Sequence, residues 1–356
     1  MGRPSLLRAI SVRQPIAHRL ILLALVLSLG IGALFAHAIN TMRGDAWRYA
    51  ERTNRNLVHA LEQAIAGTLT SFDRSLQGVV AGLADGQVMR QPVEWRNRIL
   101  FDDSLRVAAV GSILVLDETG EVVMDSLSAV PRKGSFADRD YFRAFKENQH
   151  QGLFIGTPVQ ARLSKVASLP LARAYYHADG RFAGVVAGML RLDYFHALFS
   201  SVAQDEQSSL NLYRRDGILI ARFPHLEANV GRSIADSSNW AQMQSARQGQ
   251  FTGVAVLDNV PRFYTFEQVG DYPLVVNVAQ SVDGILSDWR RNATVLGSAA
   301  LALMLCCMAL AWLFARELHK RQQLFEKWQT TERDIRTIMD NVPSMIGYWD
   351  ARLYNR

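Results

Sequence analysis

The stretch SILVLDETGEVVMD, residues 112–125, decides the fold. Apolar, β-branched residues flank Glu118-Thr119-Gly120, a turn with glycine where a hairpin needs an unusual backbone angle. Two antiparallel strands, 112–117 and 121–125, are the reading. The same layout recurs as Leu210-Asn211-Leu212-Tyr213, the turn Arg214-Arg215-Asp216-Gly217, and Ile218-Leu219-Ile220-Ala221. The turn glycines Gly120 and Gly217 lie 97 residues apart.

The elements downstream of each hairpin also repeat. After the first, Asp138 caps a short helix through Tyr141-Phe142-Arg143-Ala144-Phe145. Strands then run over 152–159, 169–176 and 181–192, with His177-Ala178-Asp179-Gly180 turning between the last two. After the second hairpin the order is a helix over 240–247 and strands at 251–257, 262–268 and 273–279. The fold class is therefore α+β, with two antiparallel-sheet modules in series, about 85–200 and about 208–282. The duplication rests on element order, because identity between the halves is slight.

Upstream, Leu57, Leu61, Ile65, Leu69, Phe72, Leu76, Val80 and Leu83 recur at three- and four-residue steps. That spacing marks one buried helical face. A helix over 41–84 would be about 65 Å long at about 1.5 Å per residue.

Two apolar runs bracket these elements. Residues 20–39 and 293–315 carry no formal charge, and about 20 helical residues cross a bilayer core. The first run also has a signal peptide's basic leader and a small-x-small site at Ala36-His37-Ala38. Its length exceeds the roughly 7 to 15 residues of an h-region, which favours an uncleaved anchor. Residues 1–19 hold four arginines and no acid, whereas residues 40–292 hold 27 basic and 27 acidic residues. Residues 316–356 hold eight basic and six acidic residues. The excess positive charge flanks the runs on their outer sides, so both termini are expected in the cytoplasm and residues 40–292 outside it. The pI near 9.5 is then a topology signal, and no nucleic-acid partner is expected. Cys306 and Cys307 both sit in the second run, so the 253 residues between the runs form no disulfide.

Beyond the second run, Leu318, Phe325, Trp328, Ile335 and Met339 lie near heptad spacing in a charged helix over 316–338. That suits a parallel coiled coil and a homodimer.

Three stretches now matter together: Asp138-Arg139-Asp140-Tyr141-Phe142-Arg143-Ala144, Gly152-Leu153-Phe154-Ile155-Gly156-Thr157-Pro158-Val159, and Asp179-Gly180-Arg181-Phe182-Ala183-Gly184-Val185-Val186. In this order, between two anchors and after a long helix, they resemble the double Cache (tandem PAS-like) sensor domains of bacterial transmembrane receptors. The branch they most resemble precedes diguanylate cyclases. Residues 339–356 are similar to the opening of a cytoplasmic PAS domain, which in such proteins leads to a GGDEF output domain. The chain is thus expected to be a truncated sensor portion in the bacterial inner membrane.

The resemblance implies a small-molecule ligand in the first module, the one distal from the membrane. Arg139-Asp140-Tyr141-Phe142 resembles the family's Arg-x-aromatic-aromatic signature, in which the arginine grips a ligand carboxylate. A guanidinium fork suits that task, with aromatic walls excluding water. Arg173 is a second anion contact, with Tyr175 on the same strand face by period-2 alternation. The competing reading pairs Arg139 with Asp138 or Asp140 and packs Tyr141 and Phe142 in the core. Amino-acid-binding relatives hold the ammonium with a late acid in this module. Residues 184–192 contain none and Asp193 follows only at the strand end, so a carboxylate or other small anion is preferred.

The eight histidines form no HxxxH or HExxH pair, and neither a P-loop, a GxSxG nor a GxGxxG is present. No metal, cofactor or catalytic residue is expected. Asp117, Glu118, Glu121 and Asp125 read as a solvated turn. The expected function is a receptor with diguanylate cyclase output. The alternatives are the sensor of a histidine kinase and a non-signalling extracytoplasmic binding module.

Overall fold

The computed structural model describes residues 16–101, 110–203, 208–225, 229–256 and 258–341. The arginines at 3, 8 and 13, Leu257 of the expected strand, and residues 342–356 of the PAS-like stretch lie outside these. The chain forms two compact units: Asp45–Asp288, and the segments up to Gly44 and from Trp289.

The helix α1 (Ile16–Ala84) is unbroken over 69 residues, as expected of a stretch with no proline inside it. Its part within the larger unit buries Val58, Leu61, Ile65, Leu69, Phe72, Leu76 and Val79. Leu57, Val80 and Leu83 of the predicted seam pack at its margin. Each fully buried side chain of this size contributes about 1.5–3 kcal/mol, so this face fixes the helix against both modules.

After the short helices α2 (Gly86–Met89) and α3 (Val93–Leu100) come the strands β1 (Val110–Asp117) and β2 (Val122–Asp125). Next in the chain are α4 (Asp140–Lys146), β3 (Phe154–Ile155), β4 (Val159–Gln160), β5 (Ala167–Tyr176), β6 (Phe182–Arg191) and α5 (Leu192–Val202). The second module holds β7 (Ser209–Arg214), β8 (Leu219–Phe223), α6 (Ser238–Gln244), β9 (Gln248–Val254), β10 (Pro261–Gln268) and β11 (Leu274–Ser281). The sheets run β2-β1-β6-β5-β3, with β4 also on β5, and β8-β7-β11-β10-β9. Within each module the order is second, first, last, penultimate, middle, and every pairing is antiparallel.

The two hairpin turns close alike. Gly120 and Gly217 have φ of +89° and +83°, angles only glycine adopts freely. A Cβ there would also lie 2.7 Å from the Ala137 nitrogen and 2.8 Å from the Ala235 nitrogen. The carbonyls of both glycines accept from Phe136 and Ile234, at 2.8 and 3.0 Å.

Each sheet has two covered faces. One face of both sheets joins α1 and α5 in a single core that includes Ile113, Leu171, Val186, Phe195, Leu212 and Val276. The opposite face of the first sheet carries α4 and the loop around Phe136. The opposite face of the second sheet carries α6 and Ile234.

In the other unit, α1 and α7 (Val282–Asn341) each contain an apolar window long enough to cross a membrane. Leu22, Leu23, Leu25, Leu29 and Leu34 are exposed on α1, and Val295, Leu301, Leu305 and Leu313 on α7. Near the end of this apolar stretch the Trp289 indole donates to the Ile39 carbonyl at 2.8 Å. The Arg43 guanidinium stands 5.7 Å from the same ring.

Candidate functional site: two unlike sheet faces

The short helix α4 starts at Arg139, whose backbone is extended (φ −76°, ψ 144°) and whose side chain caps nothing. Asp138, the cap expected from sequence, instead holds Arg162, at 2.8 Å through one oxygen. The neighbouring guanidinium pulls the Asp138 carboxyl below the usual carboxylate range. Asp140 performs the capping from inside the helix, accepting from the Tyr141 N–H at 2.8 Å. Its other oxygen takes the Thr157 N–H at 2.9 Å and the Thr157 hydroxyl at 3.0 Å, which ties the segment after β3 to α4.

Tyr141 and Phe142 are each 1% exposed, packed with Phe136 and Phe145 against Leu114, Leu116, Val185 and Ala187. The Tyr141 hydroxyl is buried without a hydrogen-bond partner. Burial pushes its phenol well above the ordinary range, with the Arg139 charge opposing the shift. An orphaned buried hydroxyl costs about 1–3 kcal/mol, which a ligand atom could recover. Arg139 is half-buried.

Arg173 and Tyr175 lie elsewhere. Alternation along β5 turns both toward the α1 face, the opposite side from Tyr141 and Phe142. Arg173 grips Asp73 of α1 with two bonds, at 2.5 and 2.8 Å. Tyr175 packs at the margin of the α1 core, and burial, with Asp117 and Glu118 nearby, raises its phenol to about 12. The five residues selected from sequence therefore fall into two groups, Arg139, Tyr141 and Phe142 on one face and Arg173 and Tyr175 on the other.

The predicted solvated turn also divides. Asp117 accepts from the Thr119 hydroxyl and N–H, at 2.6 and 2.9 Å, and from the Glu121 N–H at 3.0 Å. Asp125 is not solvated at all: it is 0% exposed, held by two bonds from Arg132 and by the Leu127 N–H at 3.0 Å. The expectation failed because the end of β2 buries both Met124 and Asp125, and Arg132, seven residues on, supplies the partner that lets a carboxylate be buried.

The corresponding face of the second sheet is polar where the first is apolar. Asn211 pairs with Asn277 across β7 and β11, in the places that Leu114 and Ala187 take in the first module. The Asn211 amide donates to the Asn277 carbonyl oxygen at 2.8 Å and to the Ser209 hydroxyl at 2.9 Å. Opposite Asn211 on β8 stands Arg222, where the first module has Asp125 opposite Leu114. Arg222 and Arg262 are 5% and 6% exposed. Arg222 donates to one oxygen of Asp258 at 2.9 Å, and Arg262 forms an ion pair with the same oxygen at 3.0 Å. The Arg222 Nε, the Arg262 Nε and one Arg262 terminal nitrogen are buried without partners. A narrow cleft, partly open to solvent, is lined by Asn211, Arg222, Arg262, Ile234, Met243 and Ala255. A second, roomier cleft of about 230 Å³ lies beyond Met243, toward Arg247 and Tyr272. Sequence reading missed this cluster. Its signal was polar residues at strand positions whose alternation should be apolar, namely Asn211, Arg222, Arg262 and Asn277.

His59, Glu62 and Glu267 bring three potential metal ligands within 4.8 Å. His59 already meets Glu267 at 3.2 Å and Gln63 at 2.9 Å. Glu62 accepts the Gly270 N–H at 2.8 Å.

Comparison with known proteins fits this architecture. Residues 192–279 match a family model described as a histidine kinase sensor domain of dCache_1-like type. The extracellular domain of the putative histidine kinase rpHK1S-Z16 superposes with a TM-score of 0.60 and 27% identity, covering 68% of this chain and 99% of that one. Residues 45–288 have the fold of these sensor domains, and the family model covers 192–279 of them. The ligand-binding domain of Mlp24 with asparagine (TM-score 0.51, 16% identity, 70% of this chain and 98% of that one) shares the Cache fold. So does that of the Pseudomonas fluorescens chemoreceptor CtaA with L-isoleucine (0.50, 16%, 70% and 97%). No curated protein matches the sequence. The first and second sheets thus follow one another as two modules of the Cache fold, and α1 is the helix they share.

Proposed function

We propose that this chain is the sensor-bearing part of a transmembrane receptor. The observation that carries the reading is a double Cache domain whose first and last helices each contain a candidate membrane span. The neutral charge between the spans and the basic flanks put the Cache domain outside the membrane and both termini inside. The domain limits proposed are those read from sequence: spans at 20–39 and 293–315, sensor at 40–292, signalling helix at 316–338 and PAS opening at 339–356.

A small anionic ligand, a carboxylate by preference, binds beside α4 of the first module. Arg139 supplies the charge, the unpaired Tyr141 hydroxyl a hydrogen bond, and Phe142 an apolar wall. Arg173 and Tyr175 act on the other side of the sheet, where the Asp73 pair couples any sheet movement to α1. Such coupling needs an element with two arrangements that the ligand biases, and α1 and α7 are the elements leading out of the sensor.

Two outputs are in contention. The Cache, PAS and GGDEF order that the sequence resembles favours cyclic di-GMP synthesis in a homodimer. The match of 192–279 to a histidine kinase sensor model favours autophosphorylation instead. The gene product purified in lipid nanodiscs separates them by turnover of GTP to cyclic di-GMP or by transfer of phosphate from ATP to itself. For the sensor, a thermal-shift screen of organic acids, amino acids and amines identifies the ligand. Arg139→Ala is expected to weaken binding at least tenfold, and unchanged affinity would refute the site beside α4.

A further inference from the structure

We propose a second ligand site, for a small carboxylate, inside the second Cache module between α6 and the sheet. Charge is the first indication. Arg222 and Arg262 bring two buried cations together, and Asp258 is the acid that meets them among the described residues. Both ion pairs end on the same Asp258 oxygen, and that side chain is 30% exposed. The cluster therefore keeps net positive charge in a desolvated place, with Nε of both arginines and one further Arg262 nitrogen unpaired.

A buried ion group is stable when charges and donors are matched. The first module shows the matched arrangement at the equivalent strand position, where Asp125 has Arg132 one to one and its remaining contact filled by a backbone N–H. The second module leaves unmatched donors, on two residues that line a cleft. A carboxylate supplies the missing negative charge and up to four acceptor sites, the complement of guanidinium edges.

The rest of the cleft limits the ligand's size and tail. It is narrow and partly open to solvent, and Ile234, Met243 and Ala255 form its apolar side. Asn211 and Asn277 are engaged with each other, and the Asn277 amide donates to the Met243 sulfur at 3.4 Å. The polar floor is thus neutral and largely satisfied, so the arginines carry recognition. A short-chain monocarboxylate whose head group alone enters between the guanidinium groups, its tail toward the open side, matches this charge. The site uses no residue of the α4 site and does not depend on it.

The test uses the full chain in nanodiscs, in an Arg139→Ala background that removes the α4 site. Sodium propionate is titrated calorimetrically against sodium chloride at matched ionic strength, with propionamide as the uncharged isostere. Propionate is expected to bind and propionamide not. Arg262→Met, which leaves Arg222 and Asp258 as a balanced pair, is expected to raise the Kd at least tenfold while melting at or above the parent temperature. Asp258→Asn removes the internal competitor and is expected to lower the Kd at least threefold. No propionate binding in the Arg139→Ala background overturns the proposal, as does equal binding of propionamide or a Kd indifferent to Arg262→Met. Should Arg262→Met fail to fold, Asp258→Asn decides, and an unchanged or raised Kd then overturns it. The α4 reading fails separately, if wild type and Arg139→Ala bind the ligand found by the screen equally.

Discussion

Asp125 and Arg222 occupy the same place in the two modules, opposite Leu114 and Asn211, and each brings a charge into the protein interior. Asp125 has a complete set of partners, so removing its carboxylate strands Arg132 and the Leu127 N–H. Asp125→Ala is expected to cost about 3 kcal/mol, the scale for breaking a buried pair, read from denaturant unfolding of the purified chain. Asp117 makes a pH-dependent contribution. Burial pushes its carboxyl up, but the Thr119 hydroxyl and the N–H groups of Glu121, Thr119 and Gly120 outweigh it and hold the group below its usual range. A depressed folded pKa gives stability that is full above the unfolded value, about 3.9, and is lost as pH falls through the folded value. Solvent screens this exposed carboxylate, so Asp117→Ala should destabilise by only about 0.5–1 kcal/mol at pH 7. The difference from wild type should shrink toward zero below about pH 3, under the unfolded value. A gap that persists at low pH would mean the carboxylate's charge is irrelevant to the turn. At this scale the sequence was readable only where partners are local. Tyr141 and Phe142 were read onto the short helix where they stand and selected by likeness to a family signature, whereas the Arg173 partner lies 100 residues upstream on α1, and no spacing rule connects them.

At the scale of elements, α1 is the member that both sheets pack on, and its placement depends on small residues beneath it. Gly188 of β6 is one: a Cβ there would come within 2.4 Å of the Phe72 ring. Gly188→Ala is expected to destabilise by about 1–3 kcal/mol through overpacking. Phe72→Leu in the same chain should recover part of that loss, which a double-mutant cycle measures as coupling. Additive losses would show that α1 does not press on the sheet at this point. The α1 face and the hairpins were legible because both carry strong periodic signals: a 3.6-residue apolar repeat and glycine turns between alternating strands. The seam predicted through Leu57, Val80 and Leu83 differs from the observed one by a residue at the ends, since Val58 and Val79 take the innermost places. The helices α2, α3 and α5 were not foreseen. Residues 192–202 continue straight from β6, with no cap or breaker in the sequence between strand and helix. The strand expected over 152–159 is two bridges of two residues, because Thr157 is turned away to Asp140.

At the scale of the molecule, the duplication extends beyond element order. Strand order, turn geometry and the hydrogen bond closing each turn all repeat, although the residues filling the two α4- and α6-facing surfaces differ in kind. This contrast was invisible to a reading that placed the ligand in the first module by resemblance, since pattern alone does not say which polar strand residues lack partners. The central claim is that the Cache domain and the C-terminal half of α7 stand on opposite sides of a membrane. Cysteine labelling in intact cells tests it directly, in a Cys306→Ser, Cys307→Ser background. Asn148→Cys is exposed on the first module and Gln329→Cys is exposed on α7. A membrane-impermeant maleimide should label the first in intact cells and the second only after permeabilisation, whereas equal labelling of both or the reverse pattern would contradict the account.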